Sequence, residues 1–379
     1  MVSVKQLECE YPRVKSNTTE QCKCHQMPPI GIKAHLYQFG TAAIGSGSCY
    51  GFSSSREEGQ SLLDAFLLSQ WEDRSWKGQL AYDVTMCETK IVSGGTRLIA
   101  QLNEQWSSNV LTEFENNALQ PLCPFKQSYI KTLRENLLFC VATGEKECSE
   151  LVPSVILPKD GTFILINVNP VEYGHVFLVP YDTHQRPFLG KRMLQLVAQI
   201  AAEVNNCSFR ISYENNISRH ADHTYFQAAY FANTFPVESL PTVNVYTGGV
   251  NKGLSVCEIA DYPLKALLFM SKNMGVLVGV VTEICLTLQK DEDTVFSLLV
   301  SDSGTKIFLF PQAHRPVSGS RHLSAWECGG YFMYNRKSEF DGASEMELSK
   351  RMESASLGNE DFEALKQLCC SIAMKASPF

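Results

Sequence analysis

Apolar residues along this chain recur with two different periods, and the switches between them mark out its elements. Between residues 161 and 180 the period is two. The run GTFILINV (161–168), the turn NPVEYG with its proline and glycine, and the returning run HVFLVP (175–180) predict a β-hairpin. In KRMLQLVAQIAAEVNN the period lengthens to that of a helix, with Met193, Leu196, Val197, Ile200 and Val204 on one face. It returns to two in FRISY and TYFQAAYF, which read as two further strands. A hairpin, a helix and then paired strands predict an α+β fold: an antiparallel sheet with the helix packed on it.

Upstream, residues 1–50 are rich in Pro, Ser, Gly, Asn and Thr without a sustained period, and read as an extended arm. The stretch SSSREEGQSLLDAFLLSQWEDRSWKG opens with a Ser–Glu N-cap pattern and carries Leu62, Phe66, Leu67 and Trp71 at helical spacing. LAYDVTMCETKIV and RLIAQLNE read as strands. The Pro- and Gly-bearing stretch FANTFPVESLPTVNVYTGGVNKG marks a boundary. Beyond it come a helix over about 271–290, a hairpin FSLLVSDSGTKIFLFP, a strand GGYFMYN and a terminal helix pair from Ser344. The expected organisation is an arm over 1–50, a first domain over 51–240 and a smaller C-terminal α+β domain over 241–379.

Composition narrows the function. Of 379 residues, 44% are hydrophobic and 19% charged, enough for a sizeable core. The formal net charge of -7 argues against nucleic acid as a partner, although a single pocket can be locally basic. The start of the chain has no apolar segment of signal-peptide length. The longest apolar run, NMGVLVGVVTEICLTL (273–288), is broken by Glu283 and threonines and reads as a buried helix rather than a membrane span. The expected location is the cytosol, with the nucleus as an alternative. Fourteen cysteines, scattered through apolar surroundings as at Cys140, Cys207, Cys257 and Cys285, read as reduced, mostly buried thiols. Cys22, Cys24 and His25, with Cys9 upstream, do not have the spacing of a standard zinc module, and no metal or other cofactor is expected.

The candidate chemistry lies in RHADHTYFQAAYF (219–231). With a period of two, His223, Tyr225 and Gln227 share one face of a strand, and Phe226, Ala228 and Tyr230 share the other. His175 opens the returning strand of the hairpin, directly after a glycine. Adjacent antiparallel strands would bring these groups over one pocket, where imidazoles beside a Gly-containing turn suit phosphate chemistry. The simpler reading of either histidine is a core imidazole bonded to a carbonyl. Asp83, Glu88 and Lys90 in YDVTMCETK are further pocket candidates, Lys90 for a phosphate, against the alternative of a solvated strand face. Asn167, Asn169 and Asn103 are turn formers first and ligand contacts second.

Several stretches together resemble the GDP-L-galactose phosphorylase / GDP-D-glucose phosphorylase family of the histidine-triad superfamily. They include QWEDRSWKGQLAYDVTMCETKIV, INVNPVEYGHVFLVP, FQAAYFANTFPVE, LVSDSGTKIFLFPQ and AWECGGYFMYNRKSEFDGASE, and they run from about residue 60 to 357, nearer to the plant branch of ascorbate synthesis. The resemblance implies a histidine-triad-like sheet and a reaction of a GDP-hexose with inorganic phosphate. A histidine attacks the α-phosphorus, hexose 1-phosphate leaves, and phosphate takes the guanylyl group to give GDP. It implies catalytic roles for His223, Gln227 and His175, substrate contacts at Asp83, Lys90, Asn103 and Asn167, and a homodimer as one assembly. The family site reads His-x-His-aromatic-Gln, with the second His as nucleophile. Here that place is held by Tyr225, and the loop before it, ENNISRHAD, has no glycine. Two alternatives therefore stand: a phosphorylase working through an altered centre, or a paralogue without covalent chemistry that binds nucleotide or regulates.

Overall fold

The computed structural model describes residues 33–41, 60–106, 135–156, 158, 161–180, 189–215, 225–248, 253–290, 295–314 and 321–375. In chain order the strands are β1 (Lys33–Phe39), β2 (Glu88–Ile91), β3 (Ile99–Leu102), β4 (Leu137–Thr143), β5 (Glu150–Ile156), β6 (Thr162–Ile166), β7 (Tyr173–Pro180), β8 (Phe209–Asn215), β9 (Phe226–Tyr230), β10 (Thr242–Thr247), β11 (Leu254–Ile259), β12 (Leu267–Ser271), β13 (Val295–Ser301), β14 (Lys306–Gln312) and β15 (Tyr331–Tyr334). The helices are α1 (Leu62–Trp76), α2 (Lys191–Val204), α3 (Pro236–Ser239), α4 (Met274–Leu288), α5 (Ala325–Cys328), α6 (Lys337–Gly342), α7 (Glu345–Ala355) and α8 (Asn359–Lys375).

Twelve strands form one sheet in the order β10-β11-β12-β14-β13-β8-β9-β7-β6-β4-β1-β5, and β15-β3-β2 form a small second sheet. Within the large sheet every pairing is antiparallel except β1 with β4. The alternation read in β9 is what divides its surroundings. Phe226, Ala228 and Tyr230 face a core with Val176, Ile164, Ile211, Leu67, Trp71 and Val197 that joins the sheet to α1, α2, α4 and α8. Ala229 and Phe231 face the other way, into a core with Leu299, Phe308, Trp326, Tyr331 and Met352 that holds the small sheet, α5 and α7.

Local chemistry sets the ends of the site-bearing elements. The side chain of Ser61 accepts the N–H of Asp64 at 3.1 Å and starts α1 there, so the cap lies later than the Ser–Glu pattern suggests. α2 stops at Asn205, which takes the left-handed conformation (φ 48°) as its C-cap. Two pins fix α1 against the sheet. Tyr230 donates to Asp64 at 2.7 Å, and Tyr173 donates to Glu72 at 2.5 Å.

Several expectations are revised. Lys33–Phe39, read as part of an extended arm, is a strand threaded between β4 and β5. LAYDVTMCETKIV is not a continuous strand: Asp83 accepts the N–H of Thr85 at 2.9 Å and turns Val84–Met86 into a 3-10 helix, leaving only Glu88–Ile91 extended. Cys207, expected to be buried, is exposed just past α2, whereas Cys140, Cys257 and Cys285 are buried and free. The large sheet runs on across residue 240. β8 and β13 pair directly, Tyr213 opposite Leu298 and Ser212 opposite Leu299. The run 273–288 is α4, largely buried and capped by Asn273, and among the described residues no helix is long and apolar enough to cross a membrane.

Candidate active site

The hairpin between β6 and β7 is held from outside as well as from within. Tyr82 donates its hydroxyl to the carbonyl of Pro170 at 2.8 Å, and Gln101 on β3 donates to the carbonyl of Val171 at 2.9 Å. The backbone N–H of Ala81 donates to Val168, and the Trp71 indole donates to the carbonyl of His175 at 3.3 Å. Gly174 has φ +68°, and a Cβ there would lie 2.5 Å from the Tyr230 ring. The position therefore needs glycine on two counts: the backbone conformation and the close approach of an aromatic ring.

This turn delivers His175, which is fully buried. Its Nδ1 accepts the N–H of Val171 at 2.9 Å. A peptide N–H only donates, so Nδ1 carries no proton and the single ring proton of the neutral imidazole sits on Nε2. Nε2 lies 3.2 Å from Oε1 of Gln227 and donates to it. Burial pushes the imidazole down to about 4, with the Gln227 bond opposing only part of that shift. Asn167 adds a third contact. Its Nδ2 is 3.2 Å from Nδ1 of His175, and its Oδ1 accepts the N–H of Asn169 at 2.9 Å.

Because the carbonyl end of Gln227 is taken by His175, its amide nitrogen is the end left to act as donor beyond the pair. Gln227 lies in a row across the sheet, opposite Phe177 on β7 and Ser212 on β8, with Leu299 opposite Ser212 on β13. Alternation puts Tyr225 and Glu214 on this same face. Tyr225 is half-buried, and its ring meets Phe177 edge-on at 5.7 Å between centroids. Glu214 accepts the N–H of Ala325 at 3.0 Å. The face thus carries a neutral imidazole, an oriented amide and a phenol side by side, an arrangement of donors suited to phosphoryl oxygens.

The sequence-derived residues divide on this frame. Asn167, His175, Gln227 and Tyr225 come together, and His223 lies outside the described residues, as do Cys9, Cys22, Cys24 and His25. Among the described residues no His/Cys/Asp/Glu group is arranged to hold a metal ion. Asp83 is exposed and caps its 3-10 turn. Lys90 turns to the end of α6, donating to the carbonyl of Phe340 at 2.5 Å and sitting over the Phe340 ring. Asn103 is buried just past the end of β3, beside Tyr82. Three participants were not anticipated. Gln101 lies in a strand that reads as ordinary, and Val171 acts through its backbone. Glu172 is a half-buried carboxyl pushed up by desolvation, accepting the Tyr331 hydroxyl at 2.5 Å. The adjacency of QLNE and NPVEYG, which carry all three, is a tertiary fact without a local signal.

The fold is similar to that of a solved phosphorylase from yeast. The crystal structure of the yeast Ap4A phosphorylase Apa2 aligns with a TM-score of 0.54 at 14% identity, over 79% of this chain and 98% of that one. The chain belongs to the GDPGP1-like family, whose N-terminal domain matches residues 62–229 and whose C-terminal domain matches residues 236–376. GDP-L-galactose phosphorylase 1 of Arabidopsis thaliana is 34% identical over 325 residues, covering 81% of this chain and 73% of that protein. GDP-D-glucose phosphorylase 1 of Homo sapiens is 27% identical over 234 residues, covering 60% and 57%.

Proposed function

We propose that this protein binds a GDP-hexose on the Gln227 face and transfers its guanylyl group to inorganic phosphate. The bond between the α-phosphorus and the bridging oxygen breaks, hexose 1-phosphate departs, and a phosphate oxygen bonds the α-phosphorus to give GDP. The observation that carries this reading is the bond from His175 to Gln227 beside Tyr225, in a chain whose relatives are named for phosphorolysis of GDP-L-galactose and GDP-D-glucose. His175 serves as a fixed neutral donor that aims the Gln227 amide, and Tyr225 stands where the family's attacking imidazole would be. A phenol ester of phosphate is a poorer leaving species than a protonated imidazole adduct, so direct attack by phosphate is the route these residues favour. Of the two hexoses, galactose in the L form, and with it a place in ascorbate synthesis, is favoured by the higher identity to the plant relative. A cytosolic setting accords with these soluble substrates.

The test is phosphate-dependent release of GDP from GDP-L-galactose and GDP-D-glucose, followed together with intact-protein mass spectrometry. Turnover without a guanylyl adduct is expected. Wild-type protein that turns over no faster than a Tyr225→Phe, Gln227→Ala double variant would remove the enzymatic reading.

A second reading rests on Tyr225 itself: loss of the covalent nucleophile leaves a nucleotide-binding protein without turnover. Calorimetry then gives GDP binding with no phosphorolysis, and absence of any heat with GDP or a GDP-hexose sinks it.

A further inference from the structure

The row that holds Gln227 contains one more polar group. Ser212 lies on β8 directly opposite Gln227. The residue is 1% exposed, and its hydroxyl has no hydrogen-bond partner among the described residues. Buried hydroxyls nearly always find a partner, and one left without it in the free protein calls for a reason. Its neighbours in the row supply none. Leu299 on one side has no polar side-chain atom, and on the other the Gln227 carbonyl oxygen is already engaged by His175. The hydroxyl therefore lies in the same row as Gln227, on the face that also carries Tyr225.

We infer that Ser212 is a direct substrate contact: its hydroxyl donates to a phosphoryl oxygen of the sugar nucleotide next to the Gln227 amide. The inference rests on the nucleotide-binding reading above. Two neutral donors, one from each of two paired strands, would grip a single anionic group without adding a cation. The open hydrogen bond of the free protein is then completed by the ligand, so its cost in the unliganded state is returned as affinity.

Thr282 provides the control. It too is a buried hydroxyl without a partner, but it lies on α4, which packs on the opposite face of the sheet. Binding of GDP and GDP-glucose is measured by calorimetry, and the melting temperature without ligand is recorded, for wild type, Ser212→Ala, Ser212→Thr and Thr282→Ala. Ser212→Ala is expected to weaken GDP binding about 10- to 100-fold, the range for a hydrogen bond to a charged group. Its unliganded melting temperature stays level or rises, Ser212→Thr regains most of the affinity, and Thr282→Ala binds GDP as wild type does. GDP binding by Ser212→Ala within twofold of wild type overturns the inference. So does a Ser212→Ala protein that melts lower than Thr282→Ala or does not fold, since the hydroxyl is then structural. Wild-type protein that binds neither nucleotide overturns the nucleotide reading itself and the Ser212 contact with it.

Discussion

The backbone N–H of Val171 donates to Nδ1 of His175 at 2.9 Å, and this one contact decides where the imidazole proton sits. It also gives the pH dependence a definite sign. Burial holds the folded imidazole at about 4, below its ordinary 6.5. As pH falls below about 6.5 the unfolded chain takes up a proton that the folded chain refuses until about 4. The contribution is therefore complete above about 6.5 and is lost progressively down to 4, amounting to about 3 kcal/mol. His175→Gln keeps an acceptor for Val171 but removes the titration. Urea denaturation should show the stability gap between wild type and variant shrinking by about 3 kcal/mol from pH 7 to pH 4. A gap that does not change with pH contradicts a buried neutral imidazole.

Gly174→Ala is expected to destabilise the fold by about 2–4 kcal/mol, combining a left-handed backbone with overpacking against a ring. The Tyr230 ring stands 2.5 Å from the new Cβ and is tied to Asp64, so it has little freedom to move. Pairing the change with Tyr230→Leu in a double-mutant cycle should recover part of the loss. Simple additivity of the two changes would show that the ring is not the obstacle.

Arg210 and Glu238 form a paired contact, Nε to Oε1 at 2.6 Å and Nη2 to Oε2 at 2.8 Å, with side chains only 6% and 8% exposed. Removing one partner leaves a buried charge alone, so Arg210→Ala should cost about 3–5 kcal/mol by denaturant unfolding. Replacing both by apolar residues of similar size should cost much less. Equal losses for the single and double changes would mean that the pair is not effectively desolvated.

On the proposed reading, Tyr225→His supplies the face of Gln227 with an imidazole as attacking group. Phosphorolysis of a GDP-hexose is expected to rise at least about tenfold, accompanied by a guanylyl adduct on the protein, because an imidazole both attacks and leaves more readily than a phenol of pKa near 10. A variant that binds GDP but forms no adduct would show that the remaining groups are not set for in-line attack.

The sequence made the local elements plain and left the tertiary assembly hidden. The β6–β7 hairpin, α2 and the two faces of β9 follow from periods of two and 3.6, because each buries one side against a core. β1 was illegible because a strand flanked on both sides within a sheet needs partners distant in sequence, here β4 and β5. In the site, Gln227 and Tyr225 were visible by alternation, and Gly174 announced a special turn. Lys90 looked free to meet a phosphate because nothing in YDVTMCETK reveals the α6 carbonyls that occupy it. Ser212 in FRISY looks like any strand serine, and only its lack of a partner sets it apart.

The pairing of β8 with β13 joins segments from the two matched family domains. A chain cut near residue 235 would expose the whole hydrogen-bonding edge of β8, one strand away from Gln227, as a sticky template for aggregation. The sheet itself thus ties the two halves together, and neither has a finished edge without the other.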